Sequence, residues 1–175
     1  MLLEEEIKKE IRDIKDFPQP GIIFKDITPI LLKPKLCTAI TEAFAERASS
    51  LNIDAIAGIE ARGFLFGMML AEKMNVPFIP IRKSGKLPYE TIYHEYDLEY
   101  GSAAIEMHVD ACKPEWNVLI HDDLLATGGT AEAAATLISK EANVAGFTFL
   151  VELAFLKGAG LLKPHSDQII SLVTY

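Results

Sequence analysis

Val118-Leu119-Ile120-His121-Asp122-Asp123-Leu124-Leu125-Ala126-Thr127-Gly128-Gly129-Thr130 reads as a buried strand that ends in two adjacent carboxylates, after which a turn of small residues opens a helix. In a parallel α/β sheet the C-terminal strand ends face the ligand crevice, so both features point at one place. Glycines let the backbone fold closely around a ligand, and free N–H groups at a helix start attract an oxyanion; Thr127 and Thr130 add hydroxyl donors. The carboxylates suit groups that donate hydrogen bonds, such as sugar hydroxyls, or a divalent cation. One segment thus offers an anion cradle beside a polyol clamp, as a phosphorylated sugar requires. A Thr127 helix cap alone would explain neither the double acid nor the double glycine. The GxxxxGK[ST] and GxGxxG spacings of other phosphate-binding turns are absent.

The same rhythm extends outward. Ala55-Ile56-Ala57-Gly58-Ile59 is a short apolar run followed by a helical stretch from Phe64 to Met74, and Val76 to Ile81 reads as another strand. Ala131 to Ala142 is the most helix-prone stretch, with strand candidates at Phe147 to Leu153 and Gln168 to Val173. Apolar strands alternating with helices predict an α/β fold, a parallel sheet covered on both faces. Leu3, Ile7, Ile11 and Ile14 recur at helical spacing, with Glu4–Lys8 and Glu5–Lys9 four apart, and predict an amphipathic helix ending before Asp16. Asp16-Phe17-Pro18-Gln19-Pro20-Gly21 demands an irregular segment, continuing to Ile27, and Lys35 to Ser50 predicts a second helix. Lys83 to Tyr100 is polar, aromatic and without a strong period, and reads as a mobile functional loop. No repeat or linker divides the chain, so one domain over residues 1–175 is expected, with an appendage over about residues 1–34 and the loop over about 83–100.

Half of the 175 residues are hydrophobic and 24% are charged, a composition that buries a core and excludes wholesale disorder. Against 25 acidic residues stand 17 basic ones, a net charge of −8, which argues against a nucleic-acid partner while leaving room for a local cationic cluster. The start Met1 to Ile7 lacks a basic region and an apolar core, and the longest apolar run, Phe147 to Leu156, is short and contains Glu152, so no membrane partner is expected. Cys37 and Cys112 form no CxxC pair and indicate neither a disulfide framework nor a zinc site. A cytoplasmic protein is expected.

Two further segments carry charge in suggestive places. Gly58-Ile59-Glu60-Ala61-Arg62-Gly63-Phe64 is a strand-to-helix turn bearing a cation, and Ile81 to Pro88 collects Arg82, Lys83 and Lys86. These cations either solubilise the surface or clamp a leaving group whose negative charge grows as a bond breaks.

Asp122 to Thr130 resembles the phosphoribosyl-diphosphate (PRPP) signature of the type I phosphoribosyltransferases, in the form found in their adenine-specific branch. The resemblance extends over essentially the whole chain and implies that family's central parallel sheet with a small N-terminal hood. It implies transfer of phosphoribose from PRPP to adenine, giving AMP and diphosphate with Mg²⁺, for purine salvage. Asp122 and Asp123 would hold the ribose hydroxyls and possible magnesium, the metal being held mainly by substrate. Ala126, Thr127, Gly128, Gly129 and Thr130 would hold the 5′-phosphate. The Glu60 to Phe64 turn would bind diphosphate, with a cis peptide between Glu60 and Ala61; Arg62, Arg82 and Lys86 would attend the leaving group, Arg82 across a homodimer interface. Glu99 and Tyr100 would close over the purine, Glu99 assisting its proton. Phe17 to Pro29 resembles the base-binding hood, with Phe24 stacked on the ring and the backbones of Ile23 and Lys25 reading its edge. Ala126 stands where enzymes for 6-oxopurines carry an acid, which favours adenine. The alternatives are a phosphoribosyltransferase for another purine such as xanthine, and a PRPP-binding regulatory module without turnover. His121 departs from the usual aliphatic residue and reads as a packed or partly exposed histidine.

Overall fold

The structure, a computed structural model, describes residues 2–98 and 101–175, so the expectations for Glu99 and Tyr100 lie outside the described residues. Along the chain run α1 (Leu3–Glu10), β1 (Arg12–Lys15), β2 (Ile23–Asp26), α2 (Thr28–Leu31), α3 (Pro34–Arg47), β3 (Ala55–Ile59), α4 (Gly63–Met74), β4 (Phe78–Lys83), β5 (Thr91–Leu98), β6 (Gly101–His108), β7 (Asn117–Leu125), α5 (Gly129–Ile138), β8 (Asn143–Glu152), α6 (Ala159–Leu162) and β9 (Ile169–Thr174). Seven strands form the main sheet in the order β5-β6-β4-β3-β7-β8-β9. From β4 to β9 the neighbours are parallel, and β6 and β5 are added antiparallel at one edge.

The apolar runs explain themselves in this sheet. Every residue of β3 is buried; Ala55, Ala57 and Ile59 join the layer under α5, and Ile56 joins the opposite layer with Phe44 of α3 and Phe66 of α4. A strand packed on both faces has no solvent side, so it reads as continuous rather than alternating hydrophobicity. α3 opens on Pro34, whose missing N–H is no loss in a first turn, and α4 closes on Asn75 in the left-handed region (φ 55°). Among the described residues no helix is long and apolar enough to cross a membrane.

Two sequence expectations are corrected. The N-terminal helix ends at Glu10, because Ile11 turns extended (ψ 129°) and Arg12–Lys15 pairs antiparallel with Ile23–Asp26, Ile14 standing opposite Phe24. Helical spacing continued to Ile14 by coincidence, since a residue three beyond Ile11 can also serve the inner face of a strand. The segment expected to be irregular through Ile27 therefore contains β2. Most of the stretch expected to be a loop is also strand: β5 pairs with β6 from Thr91↔His108 to Leu98↔Gly101. Ile92, His94 and Tyr96 are half-buried while Tyr93, Glu95 and Asp97 are exposed, a two-residue period hidden by polar and aromatic side chains on both sides of this edge strand.

Candidate active site

The acid pair sits inside β7, with Leu124 and Leu125 still to follow, rather than at its very end. Ile120 and Leu125 belong to the same apolar layer although their odd spacing would send them to opposite faces, so the alternation slips across Asp122–Leu124. Both carboxylates consequently line one cavity of about 200 Å³. The Asp123 amide donates to Asp122 Oδ1 at 2.8 Å, and Arg62 Nε lies 2.9 Å from Asp123 Oδ2. Arg62 reaches there because the turn before α4 comes very close to β7: a Cβ on Gly63 would stand 2.8 Å from the His121 carbonyl oxygen and 3.0 Å from Asp122 Oδ1. Burial, together with the neighbouring Asp123 charge, pushes the Asp122 carboxyl well above its ordinary range; burial also raises Asp123, against the pull of Arg62. His121 is fully packed, its Nδ1 3.0 Å from Thr148 Oγ1 and its ring edge-on to Phe44; burial lowers its pKa to about 3 and keeps it neutral.

Beyond Leu125 the chain turns through Ala126, Thr127 and Gly128, whose φ of 89° only glycine adopts freely, and α5 begins at Gly129. The first amides of α5 have no acceptor within the helix and converge with Thr127 and Thr130 on a second cavity of about 90 Å³. Asp122 and Thr130 line both cavities, so the acid pair and the glycine turn adjoin.

The larger cavity is walled on its other side by Glu60, Ala61, Arg62 and Arg82. The Glu60–Ala61 peptide is cis. The Glu60 carboxylate accepts from Lys86 Nζ at 2.7 Å, the Lys83 amide at 3.0 Å and Arg82 Nε at 3.3 Å, and so ties the 84–86 turn to β3. Lys86 foremost, against the burial that opposes it, pulls Glu60 down to about 2. Arg82 faces Glu60 of its own chain and donates to the Lys86 carbonyl at 3.2 Å. Sequence reasoning missed two residues here. Tyr96 of β5 lines the cavity, its strand having been read as loop. Glu106, 4% exposed, accepts from the amides of Lys86 and Leu87, each at 2.9 Å, and from Thr91 Oγ1 at 3.3 Å. Burial works to raise its pKa, but these donors outweigh it and the carboxyl is held below its ordinary range. The signal was an acid alone in the apolar run Ala103-Ala104-Ile105-Glu106-Met107.

The β1–β2 hairpin meets the site through Arg62. The Phe24 ring has Phe17 edge-on at 5.1 Å and the Arg62 guanidinium over it at 4.9 Å, so this aromatic stands one residue from the acid pair. Ile23 is half exposed, and the Lys25 side chain turns away to Asp13 (2.7 Å) and the Tyr175 ring (4.0 Å), leaving its backbone as the part that could meet a ligand.

Comparison with known proteins gives one answer. A family described as "Phosphoribosyl transferase domain" matches residues 27–156. A protein of Cytophaga hutchinsonii named adenine phosphoribosyltransferase is 54% identical, covering 99% of this chain and 97% of its own. The crystal structure of adenine phosphoribosyltransferase from Thermoanaerobacter pseudethanolicus superposes with a TM-score of 0.95 at 48% identity, covering 99% of this chain and 100% of that one. The Saccharomyces cerevisiae enzyme of that name, solved with an imino-altritol bisphosphate and adenine, matches at TM-score 0.90 and 40% identity over 97% of this chain and 98% of its own.

The electrostatics make two predictions. A carboxyl whose pKa is raised on folding stabilises below its ordinary value and forfeits that contribution as pH rises through the raised value. At pH 7 Asp122 therefore opposes folding, and Asp122→Asn is expected to raise the thermal midpoint by about 2–4 °C, the effect of roughly 1 kcal/mol in a chain of this size. An unchanged or lower midpoint would contradict this. Glu60 has the opposite sign: its contribution is complete above the ordinary 4.5 and lost as pH falls toward about 2. In urea unfolding, Glu60→Gln is expected to be less stable at neutral pH and to lose stability less steeply across that acid window than the parent.

Proposed function

The chain belongs to the phosphoribosyltransferase family, and from that premise we propose that it catalyses transfer of the 5-phosphoribosyl group from PRPP to adenine, yielding AMP and diphosphate for purine salvage. It is a pentosyltransferase of the glycosyltransferase class. The observation that carries the reading is the pair of adjoining cavities sharing Asp122 and Thr130, which matches the two ends of one pentose monophosphate.

In the reaction a ring nitrogen of adenine forms a bond to the anomeric carbon, the bond from that carbon to diphosphate oxygen breaks with its electron pair leaving on diphosphate, and the ring-nitrogen proton is released. Asp122 and Asp123 accept hydrogen bonds from the ribose hydroxyls and fix the sugar as positive charge develops on its ring. The amides from Gly128 to Thr130 and the two threonine hydroxyls hold the 5′-phosphate. Glu60 and Ala61 shape the diphosphate turn; Arg62, Arg82 and Lys86 meet the growing charge of the leaving group. Phe24 offers a stacking face to the purine, and the backbones of Ile23 and Lys25 present it with a donor and an acceptor. By the family resemblance Glu99 would handle the proton of the base and Tyr100 would act beside it, both outside the described residues. The loop tied down by Glu60 and Glu106 excludes water that would hydrolyse the activated sugar.

Two adjacent carboxylates that repel one another would gain by a hard divalent cation, so Asp122 and Asp123 would contribute to binding a Mg²⁺ held mainly by the oxygens of PRPP. When bound, Mg²⁺ neutralises charge on the leaving diphosphate. A homodimer is supported by Leu65 and Met68, large apolar side chains that α4 leaves exposed, and in it Arg82 would exchange Glu60 for the diphosphate of the partner subunit's site. The unpaired cysteines Cys37 and Cys112 fit the reducing cytoplasm.

The test is AMP formation from labelled adenine and PRPP, with and without magnesium, and with hypoxanthine, guanine and xanthine as competitors. AMP is expected only with magnesium, little reduced by the other purines. Asp122→Asn with Asp123→Asn is expected to lower kcat/KM about 100-fold or more, the loss of two charge-assisted hydrogen bonds, while the protein stays folded. No AMP, or preference for a 6-oxopurine, would overturn the assignment.

A further inference from the structure

Gly158 lies outside every segment considered so far, just before α6, yet it touches the anion cradle. Its dihedral angles, φ −59° and ψ −31°, are open to any L-residue, so the backbone conformation there does not call for glycine. Space does. A Cβ on Gly158 would run into the carbonyl oxygen of Ala126 and stand 2.9 Å from both the Gly128 nitrogen and the Thr127 carbonyl carbon. The contact is reciprocal, for a Cβ on Gly128 would stand 2.6 Å from the Gly158 carbonyl oxygen. Two backbones thus meet face to face with no side chain between them.

The Gly158 side of this contact has little freedom to retreat. The Leu153 amide donates to the Leu125 carbonyl at 2.9 Å, anchoring the connection to the end of β7. Lys157 turns the chain in the left-handed region (φ 57°), the Leu161 amide donates to the Gly158 carbonyl at 3.0 Å, and Leu162 is fully buried under α5. The cradle side is freer: Gly129 has nothing within 4 Å of where a Cβ would be. Between a seated turn and a loop facing open space, an inserted methyl group displaces the loop.

Resting on the reading of Ala126–Thr130 as the 5′-phosphate cradle, we propose that Gly158 is a positioning residue for that cradle. Its bare backbone braces Ala126, Thr127 and Gly128 from behind and holds the cradle amides in the arrangement that receives the phosphate. The substrate moiety it governs is the sugar 5′-phosphate, not the diphosphate, which is bound on the Glu60 side.

The experiment compares the parent with Gly158→Ala and, as control, Gly160→Ala, two residues on, where a Cβ meets nothing within 4 Å. Binding of ribose 5-phosphate and of inorganic diphosphate is measured by calorimetry, KM for PRPP and for adenine by AMP formation, and folding by thermal melting. Gly158→Ala is expected to weaken ribose 5-phosphate about ten-fold or more, the loss of one charge-assisted hydrogen bond, and to raise KM for PRPP in parallel. Diphosphate affinity and KM for adenine are expected to stay at the values of Gly160→Ala, while the melting midpoint falls by several degrees, the cost of fitting a methyl group against backbone, with the protein still folded at room temperature. Unchanged ribose 5-phosphate affinity, an equal loss for both ligands, or a Gly158→Ala protein that is unfolded at room temperature while Gly160→Ala is folded would each overturn the proposal. Thr127→Ala with Thr130→Ala separates the two levels. If that variant keeps its ribose 5-phosphate affinity, the cradle reading itself fails; if it loses that affinity and Gly158→Ala does not, only the role of Gly158 falls.

Discussion

Two carboxylates on successive residues of a buried strand repel each other, and the rest of the site is arranged around relieving that repulsion. Arg62 lies against Asp123, and it gets there because Gly63 lets the β3–α4 turn press on the backbone of β7. The hairpin aromatic Phe24 then sits under the same guanidinium. The residue that tempers the acid pair therefore also touches the β1–β2 hairpin, so the two regions are joined through one side chain. A pair kept high in proton affinity is a cost to folding, and such costs cluster where ligands bind.

The second constraint is the parallel pairing of the central strands. β3 and β7 are parallel neighbours, and their C-terminal ends deliver the Glu60–Arg62 turn and the Asp122–Thr130 segment to the same rim. β4 on the far side of β3 adds Arg82 and the 84–86 turn. Among the described residues, three strand ends supply the charged groups of the larger cavity, which is the expected behaviour of an open α/β sheet.

The sheet and its rim were readable because strands packed on both faces leave uninterrupted apolar runs, and because Asp122-Asp123 and Gly128-Gly129 have few other uses at the end of such a run. The hairpins were not. Ile14 fits a helical or an extended reading equally, and only the pairing with Phe24 decides between them. In β5 one face of the strand packs on α5 while its partly buried positions include His94 and Tyr96, so polarity conceals the alternation. Within the site, Asp122, Asp123, Glu60 and Arg62 come together as their positions at strand ends suggested. The slip of alternation that turns both acids into one cavity is invisible in sequence, since it depends on how Leu124 and Leu125 settle into different layers. Glu106 escaped notice because its two shortest partners are backbone amides, which carry no residue signature.

Glu60 already satisfies Lys86 and Arg82 before any ligand arrives. An entering polyanion consequently swaps one set of ion pairs for another instead of capturing loose positive charge. Its affinity is the difference between the two sets, and its dependence on ionic strength is shallower than the number of basic side chains on that wall would imply.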